Sequence, residues 1–411
     1  MINPLIPVHQ KAVKGVTGYI SNLRLFSSNA RLFLTGTFFM GMGFSGFMLL
    51  FNLYLKTLGF SEGRIGNIIS ATTLGTAIMA IPASIVIRKL SIKGLLIIAT
   101  PVIMCSYLVQ LTVMDYHYIL AGGFTAGIAA VFWRVAAAPF FMRNSTPKER
   151  PYLFSMHFAL MLVAGVVGSI LGGFLPGIIE KSGAVSYLAY RYTLYVFSGL
   201  VCAALIPFLM IKQHPAQASV KKVKIYTNHL IIFKLFLPAL ITGIGAGLSI
   251  PFINLFFKNV LQTSTDLIGI FYSGARFLMI TGLLIAPVFA ERIGKIKTVV
   301  ISQLISIPFL IILGITRNLL LAVIAFFVRA ALMNMAQPLF TNFAMEKVKE
   351  ENQPFTNALL VIAWTAGWGA SASIGGYLIE RFSYSIPFFT TSILYLISTF
   401  LIFTFFKRDR L

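Results

Sequence analysis

An internal duplication limits what this chain can fold into more than any other feature. Phe51-Asn52-Leu53-Tyr54-Leu55-Lys56 returns as Ile253-Asn254-Leu255-Phe256-Phe257-Lys258, 202 positions later. Gly172-Gly173-Phe174-Leu175 returns as Gly375-Gly376-Tyr377-Leu378, 203 positions later, and Pro151 and Pro354 keep that offset. Arg88 with Arg292, and Lys93 with Lys297, are 204 apart. Landmarks spread along both halves hold nearly one register, so the 411 residues are two copies of one unit.

Each copy is built for a lipid environment. Only 11% of the residues are charged, against about 25% in a typical soluble domain. Apolar stretches of the roughly 20 residues needed to cross a bilayer recur from end to end. Twelve spans are expected, near 31–55, 64–87, 94–113, 117–142, 153–178, 191–212, 231–257, 266–290, 298–316, 318–345, 355–379 and 385–406. The fold expected is an all-α membrane protein of two pseudo-symmetric six-helix bundles. In it, residues 1–30 form an N-terminal tail, 31–212 the first bundle, 213–230 a linker, 231–406 the second bundle and 407–411 a C-terminal tail. Residues 10–30 read equally well as an amphipathic surface segment or as a disordered tail.

The formal net charge of +22 could suggest a nucleic-acid binder, but its distribution argues otherwise. Of 33 Lys and Arg, 23 fall on the tails and even-numbered loops, 7 on the odd-numbered loops and 3 inside spans. Such an excess marks the cytoplasmic side, so both tails are expected there, facing anionic lipid headgroups rather than nucleic acid. The run Lys221-Lys222-Val223-Lys224 reads as an anchor of the same kind. Cys105 and Cys202 both lie inside spans, which gives neither a disulfide framework nor a thiol metal site. The sequence carries no HExxH, no GxSxG and no Walker loop, and implies no cofactor and no enzyme.

The loop after span 8 reads Glu291-Arg292-Ile293-Gly294-Lys295-Ile296-Lys297. Glycine permits a tight reversal there, and the acidic–basic pair can join the two bundles and separate when that side opens. The first-half copy, Ile87-Arg88-Lys89-Leu90-Ser91-Ile92-Lys93, lacks both the acid and the glycine. Thr146-Pro147-Lys148-Glu149-Arg150 precedes span 5, and Gly165-Val166-Val167-Gly168-Ser169-Ile170-Leu171-Gly172-Gly173 lies within it. These stretches resemble the loop and glycine-rich motifs of the major facilitator superfamily, over roughly residues 30–406. The resemblance implies a secondary transporter whose bundles rock around a midplane site. It implies gating roles for Glu291, Arg292, Gly294, Arg88, Glu149 and Arg150. It also implies that spans 1, 4, 7 and 10 line the cavity.

All eleven acidic residues fall in loops or at span ends, while Arg134, Arg276 and Arg329 fall inside spans 4, 8 and 10. Each arginine costs about 2.5–3.5 kcal/mol at a helix centre, so each needs a reason to be there. Guanidinium is a planar fork of donors suited to carboxylate or phosphate; the bland alternative is a structural bond to neighbouring helices. If Pro139 and Pro338 are repeat equivalents, Arg134 and Arg329 share a face of equivalent helices and oppose one another across the cavity. Arg134 is the most readily structural of the three. Weaker binding candidates are Tyr272, Asn52, Asn254, Asn334, Gln337, Trp364 and Trp368, and His157 is a candidate proton carrier. Asn52 and Asn254 read at least as well as cross-helix bonds, and the glycines of span 5 as close-packing sites.

The reading that follows is a transporter, monomeric, of a small organic anion or of an amphipathic molecule with an anionic head, with or without a coupling ion. A proton-coupled drug or metabolite exporter is the alternative, weakened by the missing carboxylate. A sensor or lipid-handling protein that moves no solute is a third.

Overall fold

The computed structural model describes residues 26–146, 149–212, 229–349 and 352–407. The 221–224 lysine run, most of the 10–30 segment, Pro147 and Lys148 lie outside the described residues. Twelve helices are long and apolar enough to cross a membrane. In chain order they are α1 (Ser28–Thr57), α2 (Glu62–Lys89), α3 (Ile92–Thr112), α4 (Tyr116–Arg143), α5 (Arg150–Lys181), α6 (Ser186–Met210), α7 (His229–Val260), α8 (Thr265–Ile293), α9 (Lys295–Ile315), α10 (Leu319–Glu346), α11 (Gln353–Arg381) and α12 (Ser385–Phe406). The expected second bundle therefore begins slightly early, with residues 229–230 already helical.

Local chemistry sets the helix ends. Ser27, Ser61, Ser91, Asp115 and Asn318 each cap a helix, their side-chain oxygens accepting from backbone amides of the first turn. Gly294 stops α8 at φ +90°, a conformation that a side chain would strain, and α9 starts at the next residue. Most helices are apolar on all sides, as expected where lipid replaces water on the outer surface.

The duplication is visible at the level of helix ends. α3 and α9 each have 21 residues and α4 and α10 each have 28, with starts and ends 203 apart. This register corrects the proline-based alignment. Arg134 corresponds to Gln337, not to the neighbourhood of Arg329, whose own counterpart is Ala126. Arg134 and Arg329 thus differ by eight positions, a rise of about 12 Å along the helix, and they do not oppose one another.

Within the first half, α1 packs on α5 and α6, α4 on α2 and α3; within the second, α7 packs on α11 and α12, α10 on α8 and α9. The halves meet along two seams, α2 on α11 and α5 on α8. Glycines permit the close approach. A Cβ on Gly173 would lie 2.9 Å from the Gly269 Cα, and one on Gly66 would lie 2.5 Å from the Ala372 carbonyl. The glycines of span 5 work on two sides, Gly168 and Gly172 against α1, Gly173 against α8.

The two ends of the molecule differ. Let the proximal face be the one where α1 starts and α12 ends, and the distal face its opposite. Among the described residues, every hydrogen bond between the halves lies in the distal part. Ser70 donates to the Gly369 carbonyl, the Gly63 amide to Glu380 (3.0 Å), Tyr384 to Glu62 (3.0 Å), and Ser273 to the Val166 carbonyl (3.1 Å), while the Tyr190 and Thr265 hydroxyls bond at 2.6 Å. Burial and the adjacent Glu62 carboxylate raise the Tyr384 pKa, which keeps its phenol protonated as donor. Between described side chains no ion pair joins the halves on the proximal side. Ile78, Ile81 and Ile85 of α2 and Leu284 and Val288 of α8 are exposed there. The structure is closed distally and open proximally.

Candidate functional site

Asn52 and Asn254 form a symmetric clasp at the distal closure. The Asn52 amide donates to the Pro251 carbonyl (2.7 Å) and the Asn254 amide to the Leu49 carbonyl (2.9 Å). Position 251 is the repeat counterpart of 49, so each asparagine reaches across to the residue three before its own twin. α7 is irregular here, with a 3-10 turn over Ile250–Phe252 and a wide turn over Phe256–Val260. Both asparagines are buried. Their bonds are cross-bundle contacts, so neither side chain lines an open cavity in this conformation.

Arg276 lies just on the proximal side of that closure. Its guanidinium leaves α8, crosses the seam, and donates to the Ser45 hydroxyl of α1 at 3.0 Å. It rests on Gly165 of α5, where an added Cβ would come within 1.7 Å of Nη1. The glycine-rich stretch thus seats an arginine as well as a helix. On the other seam, Gly369 of α11 meets the short side chain of Thr73 and the Leu74 backbone nitrogen; Thr73 is the 203-residue counterpart of Arg276. The two seams share a geometry and differ in charge. Arg276 is half-buried and no carboxylate pairs with it among the described residues.

Tyr272, one turn before Arg276, packs against Phe326 of α10 at a ring distance of 5.3 Å and lies within electrostatic reach of both Arg276 and Arg329. Arg329 departs from the expectation of a cavity-facing group. It is 5% exposed and lies in electrostatic reach of Tyr395 of α12 and Tyr272 of α8, and its Nε has no hydrogen-bond partner among the described residues. In this conformation the guanidinium is enclosed within the second bundle, near the phenols of α8 and α12. Arg134 departs the opposite way. It is exposed, with Phe44 of α1 5.5 Å beneath its guanidinium, and Tyr107 of α3 is in electrostatic reach. Its counterpart Gln337 is exposed too, and only its backbone carbonyl is engaged, accepting from the Thr341 hydroxyl among the described residues.

The remaining candidates are more local. Asn334 donates to the Ala330 carbonyl one turn back. Trp364 and Trp368 lie with their rings 4.9 Å apart and tilted, Trp368 against the second-bundle core and Trp364 partly exposed. His157 lies half-buried between Phe33 and Phe141, and its Nδ1 has no partner among the described residues.

The described gating groups form no ion pair with the opposite half in this conformation. Glu291 and Arg292 are exposed and form no ion pair among the described residues, as an open proximal side requires. Glu149 accepts from Thr146, and Arg150 donates to the Met142 carbonyl, so this pair stitches the α4–α5 connection instead of bridging the bundles. The side chain of Arg88 lies outside the described residues. Sequence reasoning missed Ser45, Gly165 as a seat for charge, Phe44 and Tyr395. All four matter through contacts between helices distant in sequence, and only the glycine run gave a local signal.

No curated protein sequence matches the chain. Solved structures do. That of the nucleoside transporter NupG superposes with a TM-score of 0.73 at 15% identity, covering 93% of this chain and 100% of that one. An inward-facing, unoccupied bacterial homologue of the human lysosomal transporter Spinster gives 0.73 at 15%, covering 94% and 99%. The human organic anion transporter MFSD10 gives 0.60 at 14%, covering 91% and 99%. At these identities the likeness is one of fold. The profile described as Major Facilitator Superfamily matches residues 33–237 and again 235–411, one match for each copy of the repeat. With twelve spanning helices in two related halves, and both halves matched, the chain belongs to the Major Facilitator Superfamily and is a membrane transporter, not an enzyme.

Proposed function

We propose that this transporter moves a small organic anion, or an amphipathic molecule with an anionic head, by alternating access, and that the proximal face is cytoplasmic. One observation carries the reading. Arg276 stands at the blind end of the proximal opening with a neutral hydroxyl as its hydrogen-bond partner, and every acidic residue of the described helices lies at or next to a helix end. A charge kept there at a cost of several kcal/mol without a protein counterion favours an anion arriving from outside. Arg134, exposed nearer the proximal mouth, adds attraction on the way in. The orientation rests on the excess of Lys and Arg on the proximal side, which makes the present conformation inward-facing.

The mechanism follows from where Arg276 reaches. It belongs to the second bundle but bonds the first. An anion taking the place of Ser45 is held between the bundles and neutralises the guanidinium as the proximal side closes. The clasp of Asn52 and Asn254 then opens distally, and the exposed Glu291–Arg292 pair becomes free to meet the first bundle.

The test is thermal stabilisation of the purified protein by a panel of anions, cations and neutral solutes. Stabilisation by anions that Arg276→Ala abolishes, in a variant that still folds, is expected. Stabilisation by cations or neutral amphiphiles alone, unchanged in Arg276→Ala, overturns the anion reading and puts a drug or metabolite exporter in its place.

A further inference from the structure

The proximal ends of the two halves close in opposite ways. In the second half, Lys295 at the start of α9 forms an ion pair with Glu346 at the end of α10 and also donates to Asn342 (2.9 Å). The 203-residue register puts Ile92 in the place of Lys295 and Arg143 in the place of Glu346. The first half therefore has a cation where its twin has a carboxylate. A small open pocket lies at that point, lined by Ser91, Lys93, Arg143, Asn144 and Lys212 among others, and none of the described residues lining it is acidic. Lys93, Arg143 and Lys212 form no ion pair among the described residues.

The walls are held in place. Asn29 at the start of α1 donates to the Asn144 side chain (2.8 Å) and to the Lys212 carbonyl (3.0 Å), and accepts from the Lys212 amide (2.9 Å). Ser27 donates to the Asn144 carbonyl at 2.8 Å. These bonds tie the start of α1, the end of α4 and the end of α6 together around the pocket. Ser91, which lines the pocket, caps α3 by accepting from the Gly94 amide.

We infer that this pocket binds a phosphate group, supplied by an anionic phospholipid of the leaflet at the proximal face, where the twin site supplies its own carboxylate. A phosphate has acceptors only, suits the fork of a guanidinium, and is compact enough for a small open pocket. The site is separate from Arg276 and does not depend on the substrate reading.

The experiment compares the melting temperature of the full chain in nanodiscs of phosphatidylcholine alone and of phosphatidylcholine mixed with phosphatidylglycerol. Arg143→Glu and Arg143→Gln are measured alongside. Lys349→Glu, an exposed residue at the same face but outside the pocket, controls for the loss of positive charge in general. The expected result is a rise in Tm of roughly 2–4 °C on adding the anionic lipid, kept in Lys349→Glu and lost in both Arg143 variants. Inorganic phosphate in phosphatidylcholine discs is the second arm. A rise of equal size there supports the site with the free ion as its source. No rise in the wild type in either arm, or a rise kept in both Arg143 variants, overturns the inference.

Discussion

Removing both halves of the asparagine clasp should shift the balance between the two open states by a calculable amount. Asn52 and Asn254 each contribute one buried hydrogen bond to a carbonyl of the opposite bundle. A net contribution of about 1 kcal/mol is ordinary for such a bond, and both are lost when the distal side opens. The carbonyl of Leu49 lies in a regular helix and keeps its own helical partner, so no large penalty for a stranded group is added on that side. Asn52→Ala with Asn254→Ala should then favour distal opening by about 2 kcal/mol, a factor of about 30 in the equilibrium. The assay is the labelling rate of a single cysteine at Leu49, buried between the bundles, in a background without Cys105 and Cys202. A membrane-impermeant thiol reagent added from the distal side should react about 30-fold faster in the double variant where exchange is faster than labelling. Each single variant should give about the square root of that factor. A double variant that folds normally and labels at the wild-type rate would refute the claim that these bonds hold the distal side shut.

Three further outcomes are expected. Gly165→Ala meets only the far end of the Arg276 side chain, so it should displace the guanidinium and weaken anion-induced stabilisation while Tm barely moves; Gly127→Ala meets the Thr72 backbone carbonyl at 1.9 Å and should lower Tm clearly. Arg329→Ala should do the reverse of Arg276→Ala, costing about 1–3 kcal/mol of stability through lost packing and a buried phenol left without its neighbour while any protein that folds still binds the anion; intact Tm with lost binding would return Arg329 to the site. Gly294→Ala should cost about 1–3 kcal/mol through its positive φ, read as a fall in Tm, and an unchanged Tm would mean that the α8–α9 reversal relaxes without strain.

The fold was legible in the sequence because its causes are linear. Span length, charge asymmetry and the repeat are all read along the chain, and the expected spans match the observed helices to within a few residues. The candidate site was legible only in part. Sequence identified Arg134, Arg276 and Arg329 as charges in costly places, but helices that are apolar all round give no periodicity by which to tell a cavity face from a core face. For that reason the exposure of Arg134 and the burial of Arg329 in this conformation were not legible, and the prolines chosen to align them were not equivalent. The asparagine twins were visible as a repeat, with a cross-helix role already one reading. Their reciprocity depends on a carbonyl three residues away in the other half, which no local pattern encodes. The opposed charges of Arg143 and Glu346 needed only the 203 register, which the helix ends supply and the looser 202–204 spacing of motifs did not.

The clasp has a consequence for how this chain can vary. Both asparagines grip main-chain oxygens, and a main-chain oxygen is present whatever side chain a position carries. The acceptor positions, 49 and 251, are thus released from any demand for a polar partner and answer only to packing and backbone shape. In a saturation library scored for function, position 49 should accept many apolar residues of similar bulk, whereas 52 and 254 should reject nearly every replacement. The latch would then survive long sequence drift on one side of each bond, and relatives could keep it with little else in common around it.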